Sequence, residues 1–169
     1  MDAIILQGSF PHRRHTSMYT KILLCYDGSR EGRLALREGA RLAQITGARV
    51  ILLAVVETGA GNALAQGADV GALAIQQADF GGILDEGHQR LSAMGLAPEV
   101  RMEFGDPVAK IASVATETGA DLVVVGHHRQ GLWTRWMSRS VAAGLADALG
   151  CSLLLAQKVV EDSDLFRDG

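Results

Sequence analysis

Lys21-Ile-Leu-Leu-Cys-Tyr-Asp-Gly-Ser29 decides the fold. Its first six residues are a short run, apolar after Lys21, that stops abruptly at Asp27-Gly28-Ser29, a turn and helix N-cap signal. The spacing then changes to that of a helix over roughly 30–46. Arg33, Arg37, Arg41 and Gln44 share one stripe, and Leu34, Leu42, Ile45 and the alanines cover the rest. Gly47 is placed to stop that helix. Val50 to Val56 is a continuous apolar run, the pattern of a strand buried on both faces.

Working outward, the alternation repeats. Residues 57–68 are rich in Gly and Ala and read as a loop into a long helix, about 70–94. Val100 to Phe104 is a third strand. Gly105-Asp106-Pro107 opens a helix with Pro in the first turn, where a missing N–H costs nothing. The i, i+3, i+4, i+7 set Val108, Ile111, Ala112 and Ala115 is its expected buried face. Leu122 to Val125 is a fourth buried strand ending at Gly126. A polar, aromatic loop, a helix about 137–149 and a fifth strand, Ser152 to Ala156, complete the pattern. Five apolar strands joined by helical crossovers predict an α/β fold, an open five-stranded parallel sheet with helices on both faces. Such sheets bind ligands outside the carboxyl ends of their strands. The loops after Tyr26, Val56, Phe104 and Val125 are therefore the places to look.

Composition narrows the function classes. The 169 residues suit one domain, and 48% apolar with 21% charged residues is a globular balance. A net charge of −3 argues against nucleic acid, which needs a clustered Lys/Arg excess. The longest strongly apolar run, Val50 to Val56, falls far short of the roughly 20 residues of a membrane span. Cys25 and Cys151 make no disulfide framework and lack metal-ligand spacing, which fits a reducing cytoplasm. Residues 1–17 lack periodicity and a secretory pattern. They read as a poorly ordered extension, with Met18 as the expected physiological start. The domain itself spans 18–158, and 159–169 read as an acidic, solvated tail.

Three segments carry chemistry. At Tyr26-Asp27-Gly28-Ser29 a carboxylate can accept from ribose hydroxyls or an adenine amino group, or Asp27 and Ser29 can simply turn the chain and cap the helix. Gly105-Asp106-Pro107 allows close backbone approach, or serves only as a strand-to-helix connection. The loop from Gly126 to Ser140 holds Arg129, Arg135 and Arg139 among Thr134, Ser138 and Ser140. Its position before a helix suits an anion, and the same residues suit a solvated loop whose tryptophans pack on the core or a partner. His127-His128 makes a poor metal site, because neighbouring side chains diverge and no third ligand is near. No nucleophile elbow, zinc helix motif, Walker lysine or dinucleotide fingerprint is present.

Met18 to Ser29 resembles the opening strand and Asp-Gly-Ser turn of the universal stress proteins. Gly105-Asp106-Pro107 with Ile111 is similar to that family's G-x-P…I segment, and Asp121-Leu-Val-Val-Val-Gly126 to the strand before its signature loop. The resemblance covers about 18–157. It implies a Rossmann-like sheet of the adenine nucleotide alpha hydrolase-like type, a homodimer paired through the last strand, Ser152 to Ala156, and in many members ATP or AMP in the cleft, with magnesium on the phosphates. Asp27 and the backbone at Val55 and Val56 would hold adenosine, and Gly126, Arg129, Arg139 and Ser140 would flank the phosphates. Gly28, Ser29, Gly105, His127 and His128 complete the expected nucleotide-binding set. In the family's G-x-x-G-(nine residues)-G-[ST] loop, Gly126 and Ser140 match the ends, while Arg129 and Arg139 stand where glycines belong. The Gly126-His-His128 and Trp-Thr-Arg-Trp-Met-Ser run looks like the universal stress protein A type, a branch regarded as lacking ATP binding.

The expectation is a cytoplasmic, dimeric stress-response regulatory or binding protein that takes an adenine nucleotide. Two alternatives are a protein-interaction module without nucleotide, docking an unknown protein through the tryptophan loop, and a slow ATPase or autophosphorylating protein with Ser138 or Ser140 as acceptor.

Overall fold

A computed structural model describes residues 17–57, 70–126 and 139–157. In chain order these form β1 (Lys21–Cys25), α1 (Arg30–Thr46), β2 (Arg49–Val56), α2 (Val70–Ala93), β3 (Glu99–Phe104), α3 (Pro107–Thr118), β4 (Leu122–Gly126), α4 (Arg139–Ala148) and β5 (Ser152–Ala156). The five strands make one sheet in the order β3-β2-β1-β4-β5, and every pairing is parallel. The chain first winds outward through β2 and β3, then returns across β1 to β4. The strand order therefore reverses between β1 and β4, and ligands of such sheets sit at that point.

The centre of the sheet is the core. Ile22, Leu23 and Leu24 of β1, Leu52 to Val56 of β2 and Val123 to Val125 of β4 are at most 1% exposed. Each such side chain contributes about 1.5–3 kcal/mol of burial. No interior charge competes, since among the described residues no polar or charged residue is buried. Both edges are wetter: β3 leaves Val100 and Phe104 exposed, and β5 leaves Leu153, Leu154 and Leu155 half-buried. Among the described residues no helix is long and apolar enough to cross a membrane.

Local chemistry fixes the helix ends. The Ser29 side chain accepts from the Gly32 amide, and Gly47 closes α1 in the left-handed region at φ 68°. Asp106, extended before Pro107, accepts from the Ala109 amide and caps α3. Two faces differ from expectation. α3 buries Pro107, Ile111, Val114 and Ala115, while Val108, which lies against Gly144 of α4, and Ala112 stay half-buried. α1 buries Ala35, Leu36, Ala40 and Ala43 but leaves Ile45 81% exposed, because Ile45 points away from the face that carries Ala43. The 57–68 loop lies outside the described residues except Glu57, as does the start of the 137–149 helix. Of the 1–17 extension only Ser17 is described, and its hydroxyl donates to the Tyr19 and Thr46 carbonyls. The 159–169 tail also lies outside the described residues.

Candidate functional site

The site is built where β1 and β4 end side by side. Asp27 follows β1, and its Oδ1 accepts from the Ser29 amide at 3.0 Å and the Ser29 hydroxyl at 2.5 Å. Ser29 Oγ in turn accepts from the Gly32 amide at 2.9 Å. One relay thus turns the chain, orients the carboxylate and caps α1. Gly28 makes the turn possible with φ 74°, a value that side chains other than glycine adopt at a cost. Capping is therefore the use of Asp27 and Ser29 seen in the structure, and it leaves the carboxylate fixed at the switch point.

Gly126 ends β4 directly under the first turn of α1. A Cβ there would lie 2.5 Å from the Glu31 carbonyl oxygen and 2.9 Å from the Gly32 nitrogen. A Cβ on Gly32 would lie 2.3 Å from Asp27 Oδ1. Only the missing side chains of these two glycines let β4, α1 and the Asp27 carboxylate converge.

Val55 and Val56 end β2 beside this junction and are fully buried. Gly105 lies at the edge, beyond β2 as seen from β1. Its amide donates to the Val56 carbonyl at 3.0 Å, its φ is 136°, and Asp106 beside it serves α3. The structure thus brings together Asp27, Gly28, Ser29 and Gly126, with Val55 and Val56 adjacent and Gly105 set apart. Arg139 and Ser140 open α4. His127, His128 and Arg129 lie outside the described residues. Among the described residues no cluster of His, Cys, Asp or Glu could hold a metal ion. Burial pushes the thiols of Cys25 and Cys151 up, with nearby Asp27 and Asp121 adding to it, so neither is a ready nucleophile.

One cluster was not legible in the sequence. Tyr26 is buried between α1 and α2, and its hydroxyl has no partner at hydrogen-bonding geometry. Arg33 and Glu86 are still near enough to act on it: burial first, then the Glu86 charge, push the phenol up to about 12. Glu86 Oε1 accepts from Arg33 Nε at 3.1 Å and from Arg90 Nε at 2.9 Å. Partial burial works against the Glu86 charge, but its contacts with Arg90, the Tyr26 hydroxyl and Arg33 outweigh that and hold the carboxyl below the usual range. The Glu86–Arg90 spacing was visible along the chain as an i, i+4 pair, but the link to Arg33 needed the fold.

A parallel sheet whose switch point is closed by a capped helix and a side-chain-free strand end defines a doubly wound α/β protein, the kind whose ligands sit at the carboxyl mouth of the strands. The model of the Universal stress protein family matches residues 18–157, and the chain belongs to that family. Universal stress protein Sll1654 of Synechocystis sp. is 31% identical over 138 residues, 82% of this chain and 85% of that relative. A crystallised member of the family from Burkholderia pseudomallei superposes with a TM-score of 0.66 at 27% identity, covering 82% of this chain and 96% of that one. A universal stress protein solved in complex with cAMP shares the fold at a TM-score of 0.63 and 24% identity, over 83% of this chain and 98% of that one.

Proposed function

We propose that this chain is a stress-response binding protein that takes an adenine nucleotide at the carboxyl mouth of β1 and β4. The observation that carries this is the Asp27 carboxylate, fixed by Ser29 beside the close junction of Gly126 with α1. A fixed carboxylate accepts well from a ribose hydroxyl or an adenine amino group, since its orientation entropy is already lost and each bond is charge-assisted. Fold relatives solved with cAMP, with dAMP (Archaeoglobus fulgidus) and with AMP (Arabidopsis thaliana) support the choice of ligand class. On this reading the backbone at Val55 and Val56 faces the nucleoside. Gly126, Arg139 and Ser140 lie toward the phosphates, with ATP and magnesium as the fuller ligand set. The working form is a cytoplasmic homodimer joined through β5, a strand that pairs only with β4 among the described residues.

Calorimetric titration of AMP and then ATP into nucleotide-stripped protein tests this. Micromolar AMP binding is expected, weakened about 10- to 100-fold in Asp27→Asn, because a hydrogen bond to a charged group is worth about 1.5–3 kcal/mol. Unchanged affinity in Asp27→Asn, or no heat with either nucleotide, would sink the proposal.

A further inference from the structure

Three neighbouring positions on α2 touch the chain that carries the site. Ile83 packs on Gly28, where a Cβ would meet Ile83 Cγ1 at 3.1 Å. Gly87 packs on the Tyr26 ring, where a Cβ would meet Cδ1 at 2.8 Å. Glu86 reaches Arg33 on α1 at 3.1 Å and is steadied by Arg90 at 2.8 Å. Residues 83, 86 and 87 lie on one helical face, and Asp27 sits in the chain between the two residues that Ile83 and Gly87 cover. The seam beneath them is apolar apart from the Tyr26 hydroxyl, which is buried with no partner at bonding geometry. The Glu86 carboxylate is the one ion-pair link between α1 and α2 among the described residues.

We propose that Arg33 and Glu86 are positioning residues: their bridge latches α2 onto the Tyr26-Asp27-Gly28 turn and thereby sets how tightly the site holds a nucleoside. This rests on the nucleotide-binding reading above. With the bridge closed, Ile83 and Gly87 hold Gly28 and Tyr26 from one side while Ser29 holds Asp27 from the other. With it open, α2 keeps its core anchors Phe80, Leu84 and Leu91, but its Ile83–Gly87 face is no longer tied to α1, and part of the population must reseat that face against the turn before it binds. Apparent affinity falls by the fraction that is competent. A half-exposed bridge is a modest device, so the effect is about three- to fivefold.

Adenosine is the probe, because it is uncharged and any salt dependence of its binding then belongs to the protein. The expected result is that Glu86→Gln and Arg33→Gln each weaken adenosine about three- to fivefold, that the double variant is no weaker than either single one, and that salt weakens wild-type binding but not Glu86→Gln. A purely structural bridge would lower the melting temperature and leave the adenosine affinity and its salt dependence alone, and that outcome overturns the proposal. Additive losses in the double variant overturn it as well. Amide exchange over residues 80–93 of the ligand-free protein is read alongside. Faster exchange in Glu86→Gln supports the latch, and unchanged exchange overturns it. Wild-type protein that binds neither adenosine nor AMP defeats the nucleotide reading and the affinity claim with it, while the exchange data still decide whether the bridge seats α2.

Discussion

At the scale of single residues, the site depends on what is missing. Gly126 faces backbone, the Glu31 carbonyl at 2.5 Å from a hypothetical Cβ, and backbone cannot step aside as a flexible side chain can. Gly126→Ala is therefore expected to cost about 2 kcal/mol in urea unfolding, within the usual range for overpacking. Gly82 is the contrast: it lies inside α2, is exposed, and a Cβ there meets nothing within 4 Å. Gly82→Ala is expected to stabilise the protein by about 0.5–1 kcal/mol through helix propensity and lost unfolded-state freedom. Equal effects at the two positions would refute the close-approach account. Sequence alone could place Asp27, Gly28 and Ser29 at the end of a strand, because turn chemistry is local. It could not show that Gly126 and Gly32 converge on them, because residues 32 and 126 meet only once the sheet forms.

At the scale of elements, the start of β1 is tied to the turn before β4 by one carboxylate. Asp121 accepts from the Thr20 amide at 2.8 Å, the Thr20 hydroxyl at 2.7 Å and the Lys21 amide at 3.1 Å. Partial burial works against its charge, but the bonds from Thr20 and Lys21 outweigh that and lower its pKa. A carboxyl whose pKa is lower when folded adds stability above its unfolded value, about 3.9, and that stability drains away as pH falls through the folded value. Wild type is therefore expected to lose stability steadily below about pH 4. Asp121→Asn should be less stable at neutral pH and show a shallower acid limb in urea unfolding from pH 6 to 2. Parallel acid limbs would show that Asp121 does not carry the effect. The elements themselves were largely legible: α1 runs over 30–46 and β5 over 152–156, as the periodicity predicts. Which flank of α3 is buried was not, because Val108 and Val114 are equally apolar along the chain, and only the fold shows Val114 in the core and Val108 half-buried against Gly144 of α4.

At the scale of the whole molecule, the sheet has two edge strands among the described residues, β3 and β5, and strand order is not written in any local pattern. Val100 to Phe104 and Ser152 to Ala156 read alike as short strands, yet their edges differ in chemistry. On β3, Arg101 pairs with Glu99 of the same strand at 2.7 Å and with Glu117 of α3 at 2.8 Å, and Glu103 pairs with Lys110 of α3 at 3.1 Å. Charges along an edge disfavour pairing with another strand, because each would have to be desolvated or matched. β5 reads Ser-Leu-Leu-Leu-Ala, with no charge and three half-buried leucines in a row. A second copy that pairs there covers both the leucines and the open backbone groups at no electrostatic cost. The two-fold is therefore expected at β5 and not at β3. Sedimentation at micromolar concentration should give a dimer for wild type and for Val100→Lys on β3. Leu154→Lys on β5 should give a monomer of unchanged circular dichroism. A wild-type monomer would remove the β5 pairing, and a dimer that survives Leu154→Lys but is lost in Val100→Lys would move the two-fold to the opposite edge.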